Sequence, residues 1–183
     1  LHASGSFILP KNVPANEFLN LEGEKISTSK NWAVWFHEYL EEFPNQQDTL
    51  RYVLTSNAPE TKDNDFTWDE FQSRNNNELV AIYGNFINRV VVLTNKYYDG
   101  IIPKIETRFP EDEKIIDQIG IIAKKIGSSI EKYKFREASQ SLMQIARTGN
   151  KYLADKEPWK LIDKEPKRVS EIIYTALQIS ACL

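Results

Sequence analysis

The sequence predicts an all-α protein: an antiparallel helix bundle preceded by a short mixed segment. From residue 67 to the end, apolar side chains recur every three or four residues in long stretches joined by short polar connections. The first thirty residues instead hold glycines, prolines and short apolar runs, which are typical of loops and one or two short strands. Long amphipathic helices with short connections bury their stripes against neighbours, which predicts the bundle.

Composition limits the kind of protein. The chain has 183 residues, 41% of them hydrophobic, which is enough for one domain or a domain with an appendage. No run of about 18 apolar residues is present, so we expect no membrane partner. The only cysteine, Cys182, cannot form an internal disulfide or a cysteine zinc site, which favours a reducing, cytoplasmic location.

Charge and the chain ends add two expectations. A formal net charge of -3 counts against a broad basic face that grips DNA, but not against reading bases in a single-stranded RNA loop. The start lacks an initiator methionine and the end stops inside an apolar pattern. We therefore expect a piece excised from a longer protein.

Two helices are predicted before the bundle. Aromatic residues at steps of three and four predict an amphipathic helix that begins at Trp32 and is closed by Pro44, with Ser29 as its cap. A shorter helix carries Leu50, Val53 and Leu54 on one side and ends before Pro59.

The first bundle helix has a clear start and stop. Thr67 is followed three residues later by Glu70, and phenylalanines flank the pair, as in a capping box with a hydrophobic staple. We expect the helix to run to about Tyr98, where Asp99 and Gly100 stop it. Three asparagines at residues 75–77 are weak helix formers that could bend it.

Three further bundle helices follow. One opens at Pro110 with acidic residues in its first turn, where the helix dipole favours them. Another begins near Tyr133 or Phe135, and the last starts at Pro166. Each carries an apolar stripe at helical spacing, so all three are predicted to pack in the bundle.

The stretch GEKISTSKN, residues 23–31, is the first candidate site. Two lysines and three hydroxyls follow a glycine just before a predicted helix, an arrangement that commonly holds anions. The stretch lacks the glycine-rich Walker pattern. A helix cap with solvated lysines is the alternative. The candidate residues are Lys25, Ser27, Thr28 and Ser29.

Asn85 and Arg89 form the second candidate. They stand four residues apart, so they share one face of the long helix. Arg offers a planar fork of donors and Asn a donor and an acceptor, which together can read base edges. A solvated helix face is the alternative.

Pro158 and Trp159, in DKEPWKLID, form the third candidate. A tryptophan flanked by Lys, Glu and Asp either covers a neighbouring helix or serves as a platform on which a base stacks.

A family resemblance connects these candidates. KISTS at residues 25–29, after NLEGE and before LRYVL, resembles the KMSKS loop of class I aminoacyl-tRNA synthetases, with Thr28 in place of the second lysine and Lys30 two positions away. The stretches FQSRNNNELV, GNFINR, YYDG and KYLADKEPWK resemble the methionyl-tRNA synthetase family. The resemblance covers essentially the whole chain.

The resemblance implies roles for the candidate residues. Lys25, Ser27, Thr28 and Ser29 would contact ATP phosphates, and residues 1 to 66 would be the end of the catalytic region with its connector helices. Residues 67 to 183 would be the anticodon-binding bundle. There the positions of Asn85, Arg89, Pro158 and Trp159 meet the CAU anticodon, the tryptophan stacking on its first base and the polar pair bonding to base edges.

The resemblance also implies cofactors, partners and limits. The parent enzyme would use ATP with magnesium to ligate methionine to its tRNA. The HIGH-type signature, the methionine pocket and a possible zinc-binding insert lie N-terminal to the loop in that family. We therefore expect this chain to hold no tightly bound cofactor or metal and to be inactive alone. Its partners would be the anticodon stem-loop of methionine tRNA and the catalytic half of the same polypeptide.

Two alternatives remain open at this point. Class I synthetases for isoleucine, valine, leucine or cysteine share the helical architecture. A helical protein-interaction module without enzymatic activity would use the apolar stripes to bind a partner protein and would not respond to RNA.

Overall fold

A computed structural model describes residues 4–105 and 108–183. It confirms the predicted fold class: a mostly helical chain with a small mixed segment at its start. The elements in chain order are β1 (Leu19–Leu21), β2 (Glu24–Lys25), α1 (Phe36–Glu42), α2 (Gln47–Ser56), β3 (Asn64–Phe66), α3 (Trp68–Arg74), a π-helical segment (Asn75–Gly84), α4 (Asn85–Tyr98), α5 (Pro110–Glu131), α6 (Phe135–Lys156), α7 (Pro158–Leu161) and α8 (Pro166–Ala181).

The three strands form one small sheet in the order β2-β1-β3. β1 and β2 form a hairpin whose turn residues, Glu22 and Gly23, have positive φ angles of 51° and 79°. β3 runs parallel to β1, with Leu21 paired to Phe66. β3 lies between the second predicted helix and Thr67, where the sequence analysis predicts no strand. Three residues carry too little alternation to predict a strand, and pairing with β1 supplies what local pattern lacks.

The start of α1 is a second correction. The helix begins at Phe36 rather than at Trp32, and its N-terminus has no side-chain cap, so Ser29 does not cap it. Ser27 and Trp32 exchange backbone hydrogen bonds of 2.9 Å in both directions. Asn31 has a left-handed φ of 53°. A closed turn over residues 27–32 therefore replaces the first helical turn.

The predicted cap at Thr67 is confirmed, because its side chain accepts a hydrogen bond of 3.1 Å from the Glu70 N–H. The asparagines that follow α3 do not break the helix. They open a π-helical segment, in which no residue is buried, and the regular α-helix resumes at Asn85. Helical structure then ends at Tyr98, with Asp99 in the left-handed region, as predicted.

Two apolar cores organise these elements. The first is formed by the sheet, α1, α2 and α3, and its buried members are Leu21, Tyr39, Leu50, Val53, Phe66 and Phe71. The second lies inside the bundle, and its largest fully buried side chains include Phe86, Ile119, Ile145, Leu153, Ile172 and Ile173. Phe71 belongs to the first core although α3 opens the predicted bundle.

Specific polar contacts join the two parts. The Glu60 carboxylate accepts a hydrogen bond of 2.9 Å from the Arg136 N–H in the first turn of α6. The Tyr52 hydroxyl donates to Glu78 in the π-helical segment over 2.6 Å. The first core is thus attached to both the start of α6 and the long helix.

A buried ionic cluster holds α5, α6 and α8 together. Asp112, 2% exposed, accepts from the Tyr152 hydroxyl over 2.7 Å and from the guanidinium of Arg168. Burial works to lower the pKa of Arg168, but hydrogen bonding to Asp112 and its charge outweigh this and hold that pKa above its ordinary value. Burial and the same carboxylate raise the pKa of Tyr152. Arg168 therefore stays protonated and the Tyr152 hydroxyl stays neutral near neutral pH.

Among the helices in the described ranges, none is both long and apolar enough to cross a membrane.

Candidate nucleic-acid interface and nucleotide loop

Asn85 and Arg89, on the first two turns of α4, meet a single residue of α6. The Asn85 Nδ2 donates to the Asn150 Oδ1 over 3.0 Å. The Arg89 Nη1 lies 3.4 Å from the same oxygen and 3.5 Å from the Asn150 carbonyl. Because both partners donate, the Asn85 Oδ1 and most of the guanidinium N–H groups remain available to another molecule.

Asn150 is itself held in place by the backbone. Its Nδ2 donates to the carbonyl of Ile82 over 2.8 Å and to that of Ala146 over 3.2 Å. Ile82 lies in the π-helical segment, where backbone pairing departs from the α-helical pattern. Anchoring the amide nitrogen there turns the oxygen toward Asn85 and Arg89.

The neighbouring Gly149 permits this close approach of helices. A β-carbon at that position would lie 2.4 Å from Cζ of Phe86, the buried ring on α4. Only glycine therefore lets α6 pack against α4 closely enough for Asn150 to reach the polar side chains beside Phe86.

Pro158 and Trp159 follow directly after α6. Glu157 ends that helix in the left-handed region, with a φ of 43°, and Pro158 starts the short helix α7. Pro158 is buried, whereas Trp159 remains 39% exposed. The Arg89 guanidinium carbon lies 5.6 Å from the centroid of the Trp159 ring, within the range of a cation–π contact.

The structure links the predicted residues in a chain: Asn85 and Arg89 contact Asn150, which sequence reasoning missed, and Trp159, next to Pro158, lies beside Arg89. We call these five the Asn150 cluster: Asn85, Arg89, Asn150, Pro158 and Trp159. One signal in the sequence could have found the missing member. Gly149 and Asn150 are poor helix formers inside a strongly periodic helix, which indicates a close backbone approach with a polar contact beside it.

The predicted nucleotide loop, residues 25–31, is fixed at its base. The Gly23 N–H of the hairpin turn donates to both carboxylate oxygens of Asp65, over 2.8 and 3.0 Å. The Trp32 indole donates to the carbonyl of Leu21 over 3.1 Å. The sheet therefore holds both ends of the loop.

The loop itself presents polar groups to solvent. Lys25 ends β2 and its Nζ lies 5.3 Å from the centroid of the Phe18 ring, while the Ser27 and Ser29 hydroxyls are 3.2 Å apart. Within the part of the chain that the structure describes, the N–H groups of Thr28, Ser29 and Lys30 have no hydrogen-bond partner. Free N–H groups beside lysines suit an anionic group.

The described His, Cys, Asp and Glu side chains do not cluster into a metal site. Among residues 4–105 and 108–183, the structure has no group of three or more His, Cys, Asp or Glu side chains that could hold a metal ion.

Comparison with known families identifies both parts of the chain. Residues 1–91 match the family described as tRNA synthetases class I (M). Residues 102–182 match the anticodon binding domain of methionyl tRNA ligase. The chain belongs to the methionyl-tRNA synthetase family. The resemblance based on KISTS, GNFINR and KYLADKEPWK is thereby confirmed. Both matches name the methionyl enzyme rather than another class I synthetase.

Curated relatives in this family match over the full length of the chain. The methionine–tRNA ligase of Christiangramia forsetii is 69% identical over 183 residues, and that of Flavobacterium johnsoniae is 67% identical over 183 residues. In each case the match covers 100% of this chain and 26% of the relative. The chain therefore spans about a quarter of the length of these curated methionyl-tRNA synthetase relatives.

Solved structures support the same fold. Mycobacterium tuberculosis methionyl-tRNA synthetase in complex with methionyl-adenylate matches with a TM-score of 0.86 at 21% identity, covering 98% of this chain and 36% of that chain. Its apo form matches with a TM-score of 0.83 at 20% identity, covering 98% of this chain and 35% of that chain. At this identity the likeness establishes the fold of the methionyl-tRNA synthetase segment.

Proposed function

We propose that this chain is the anticodon-reading part of a methionine–tRNA ligase and that the Asn150 cluster binds the CAU anticodon of methionine tRNA. One observation carries the proposal: the half-exposed Trp159 ring lies beside the guanidinium of Arg89, and Arg89 and Asn85 share the side-chain oxygen of Asn150. An aromatic ring next to oriented donors and acceptors is the combination that single-stranded bases require.

Each member of the cluster has a distinct part in the proposal. Trp159 stacks on the first anticodon base and so holds its edge within reach of the groups that read it; without the ring, that base is no longer held for reading. Arg89 and Asn85 bond to base edges and supply discrimination between bases. Pro158, buried at the start of α7, sets the direction in which Trp159 leaves the end of α6.

The proposal assigns the loop to nucleotide binding in the longer protein. Lys25 and the hydroxyls of Ser27, Thr28 and Ser29 contact the phosphates of ATP, which carry magnesium, while methionine is ligated to tRNA. The free N–H groups of the loop support this assignment. Any zinc of the parent is held outside this chain, and the parent acts in the cytoplasm.

The proposal also divides the chain by role. Residues 1 to 66 are the end of the catalytic region, and residues 67 to 183 are the anticodon-binding bundle, with the boundary at the cap of α3. Because the methionine pocket lies elsewhere in the longer protein, we expect this chain alone to give no methionine-dependent exchange of pyrophosphate into ATP.

RNA binding tests the proposal directly. Equilibrium binding would be measured for RNA hairpins with a CAU loop and with a GAU loop, at one salt concentration. The proteins are the native chain, Trp159→Ala, and Tyr133→Ala as a control. Tyr133 is 43% exposed and lies before the first turn of α6, at the other end of that helix from Trp159.

We expect the native chain and Tyr133→Ala to prefer CAU, and Trp159→Ala to lose that preference. Stacking on one base contributes about 1–3 kcal/mol, which corresponds to roughly 5- to 150-fold in affinity. Equal affinities for CAU and GAU, or an unchanged preference in a folded Trp159→Ala, would refute the assignment. Circular dichroism and urea denaturation establish that each variant is folded.

A further inference from the structure

The solvent-facing side of α6 next to the Asn150 cluster carries two cations that are not paired. Arg147 and Lys151 are exposed and lie one helical turn apart. Within the described ranges, neither side chain makes an ion pair or a hydrogen bond. Two like charges on adjacent turns weaken a helix slightly, so the pair does not serve folding.

Three other cations at this end of the bundle are engaged within the protein. Lys156 pairs with Glu111 over 2.5 Å and Lys160 pairs with Glu157 over 2.8 Å. Arg168 is buried against Asp112. Arg147 and Lys151 therefore differ from these neighbours in having their charge available to a partner.

The two side chains border a polar groove between α5 and α6. Its volume is about 470 Å³, and its lining includes Gln118, Gln144, Arg147, Thr148, Lys151 and Asp155. Asp155 stands one turn beyond Lys151 but forms no ion pair with it among the described contacts. The groove thus offers two cations together with amide and hydroxyl groups. All of these can donate hydrogen bonds to phosphate oxygens.

Helix geometry places this groove beside the base-reading residues. Arg147 lies three residues before Asn150 and Lys151 lies directly after it, so they project from the same two turns of α6. Asn150 faces α4, while Lys151 and Arg147 point away from that contact toward the groove. An RNA strand whose bases reach Asn150 and Trp159 can pass its phosphates along this flank of α6.

We propose that Arg147 and Lys151 bind phosphates of the RNA strand whose bases contact the Asn150 cluster. This inference rests on the proposed function and adds the backbone-binding part of the same interface. Phosphate contacts contribute affinity and register without reading sequence, whereas base contacts supply specificity. The two kinds of contact are therefore separable by experiment.

The test measures affinity for the CAU and GAU hairpins over a series of salt concentrations. The variants are Arg147→Gln, Lys151→Gln and the double variant, with Lys124→Gln as the matched control. Lys124 is an exposed lysine of α5 without a side-chain partner in the described part of the chain. Its neighbour Lys125 pairs with Glu137 in the first turn of α6. Lys124 therefore lies near the start of α6, away from Arg147 and Lys151.

We expect Arg147→Gln, Lys151→Gln and the double variant each to weaken binding of both hairpins by the same factor. The ratio of the affinities for CAU and GAU should stay unchanged. Each lost phosphate contact should reduce the slope of log K against log salt by about 0.7–0.9. Lys124→Gln should change neither the affinity nor the slope by a comparable amount.

Three outcomes would overturn the inference. They are affinities and slopes equal to those of Lys124→Gln, a loss confined to the CAU hairpin, and no binding of either hairpin by the native chain. The first two leave a CAU preference that depends on Trp159 intact, so they reject the phosphate assignment alone. Equal native affinities for CAU and GAU that still fall in Arg147→Gln and Lys151→Gln reject the base-reading proposal alone.

Discussion

At the scale of single residues, Asn150 organises the candidate interface. Its side-chain oxygen contacts both Asn85 and Arg89, and its side-chain nitrogen donates to the Ile82 carbonyl. A flexible arginine loses side-chain entropy when it binds a base, and a partner that already orients it reduces that loss. We therefore propose that Asn150 positions Asn85 and Arg89 for binding RNA.

Replacing Asn150 by alanine should weaken both folding and base reading. Loss of its bonds to Ile82 and to the Arg89 guanidinium should lower the free energy of unfolding by roughly 1–3 kcal/mol. The CAU to GAU ratio should also fall, as measured with the two hairpins. Asn88→Ala on the exposed side of α4 is the control, expected to stay within about 0.5 kcal/mol of the native chain. An Asn150→Ala chain that keeps the full CAU preference would remove the positioning role.

At the scale of secondary-structure elements, α6 connects the N-terminal part of the chain to the Asn150 cluster. Its first turn is bonded to Glu60 from the first core, and its last turns carry Asn150 and lead to Trp159. Its contact with α4 passes through Gly149 and the ring of Phe86. The position of the Asn150 cluster therefore depends on how closely these two helices pack.

Gly149→Ala tests that packing. The added methyl group would overlap the buried Phe86 ring, and overpacking of this kind costs about 1–3 kcal/mol of unfolding free energy in urea. Gly120→Ala in α5 is the matched control, because nothing lies within 4 Å of its added carbon. Alanine there should instead stabilise the helix by up to about 1 kcal/mol. Similar effects at the two glycines would contradict the close-packing account.

At the scale of the whole molecule, one buried ionic cluster ties the bundle together. Asp112 of α5 accepts hydrogen bonds from Tyr152 of α6 and from Arg168 of α8, next to the apolar core. The carboxylate is 2% exposed, and its charge is matched by the guanidinium. The cluster selects one arrangement of three helices, since any other leaves a charge buried without its partner.

Asp112→Ala should therefore be among the most damaging single changes. Removing one partner of a buried ion pair costs about 3–5 kcal/mol. Here Arg168, which also pairs with Glu111 and Glu171, would lose the most buried of its three carboxylates. Urea denaturation would measure this against Glu113→Ala, an exposed neighbour whose loss should cost less than about 0.5 kcal/mol. A small effect at Asp112, equal to that at Glu113, would show that the helices pack by apolar contacts alone.

Local pattern predicted the bundle elements well because their determinants are neighbours in the chain. The cap of Thr67, the prolines that open α5 and α8, and the stop at Asp99 all act within one or two helical turns. Prediction was wrong where distant segments compete with local preference. Trp32 bonds to Leu21 instead of entering α1, and β3 exists because β1 lies beside it.

The sequence by itself determined the helical periodicity, the helix boundaries with strong caps, and the motifs that placed the chain in its family. The tertiary structure alone decided that Asn85 and Arg89 share Asn150 and that Arg89 lies beside Trp159. It also decided that Arg147 and Lys151 lie nearby on α6, without an ion pair among the described residues. The physical reason is range. Helix propensity and capping act between near neighbours, whereas an interface built from α4, α6 and α7 depends on how apolar faces pack across the bundle.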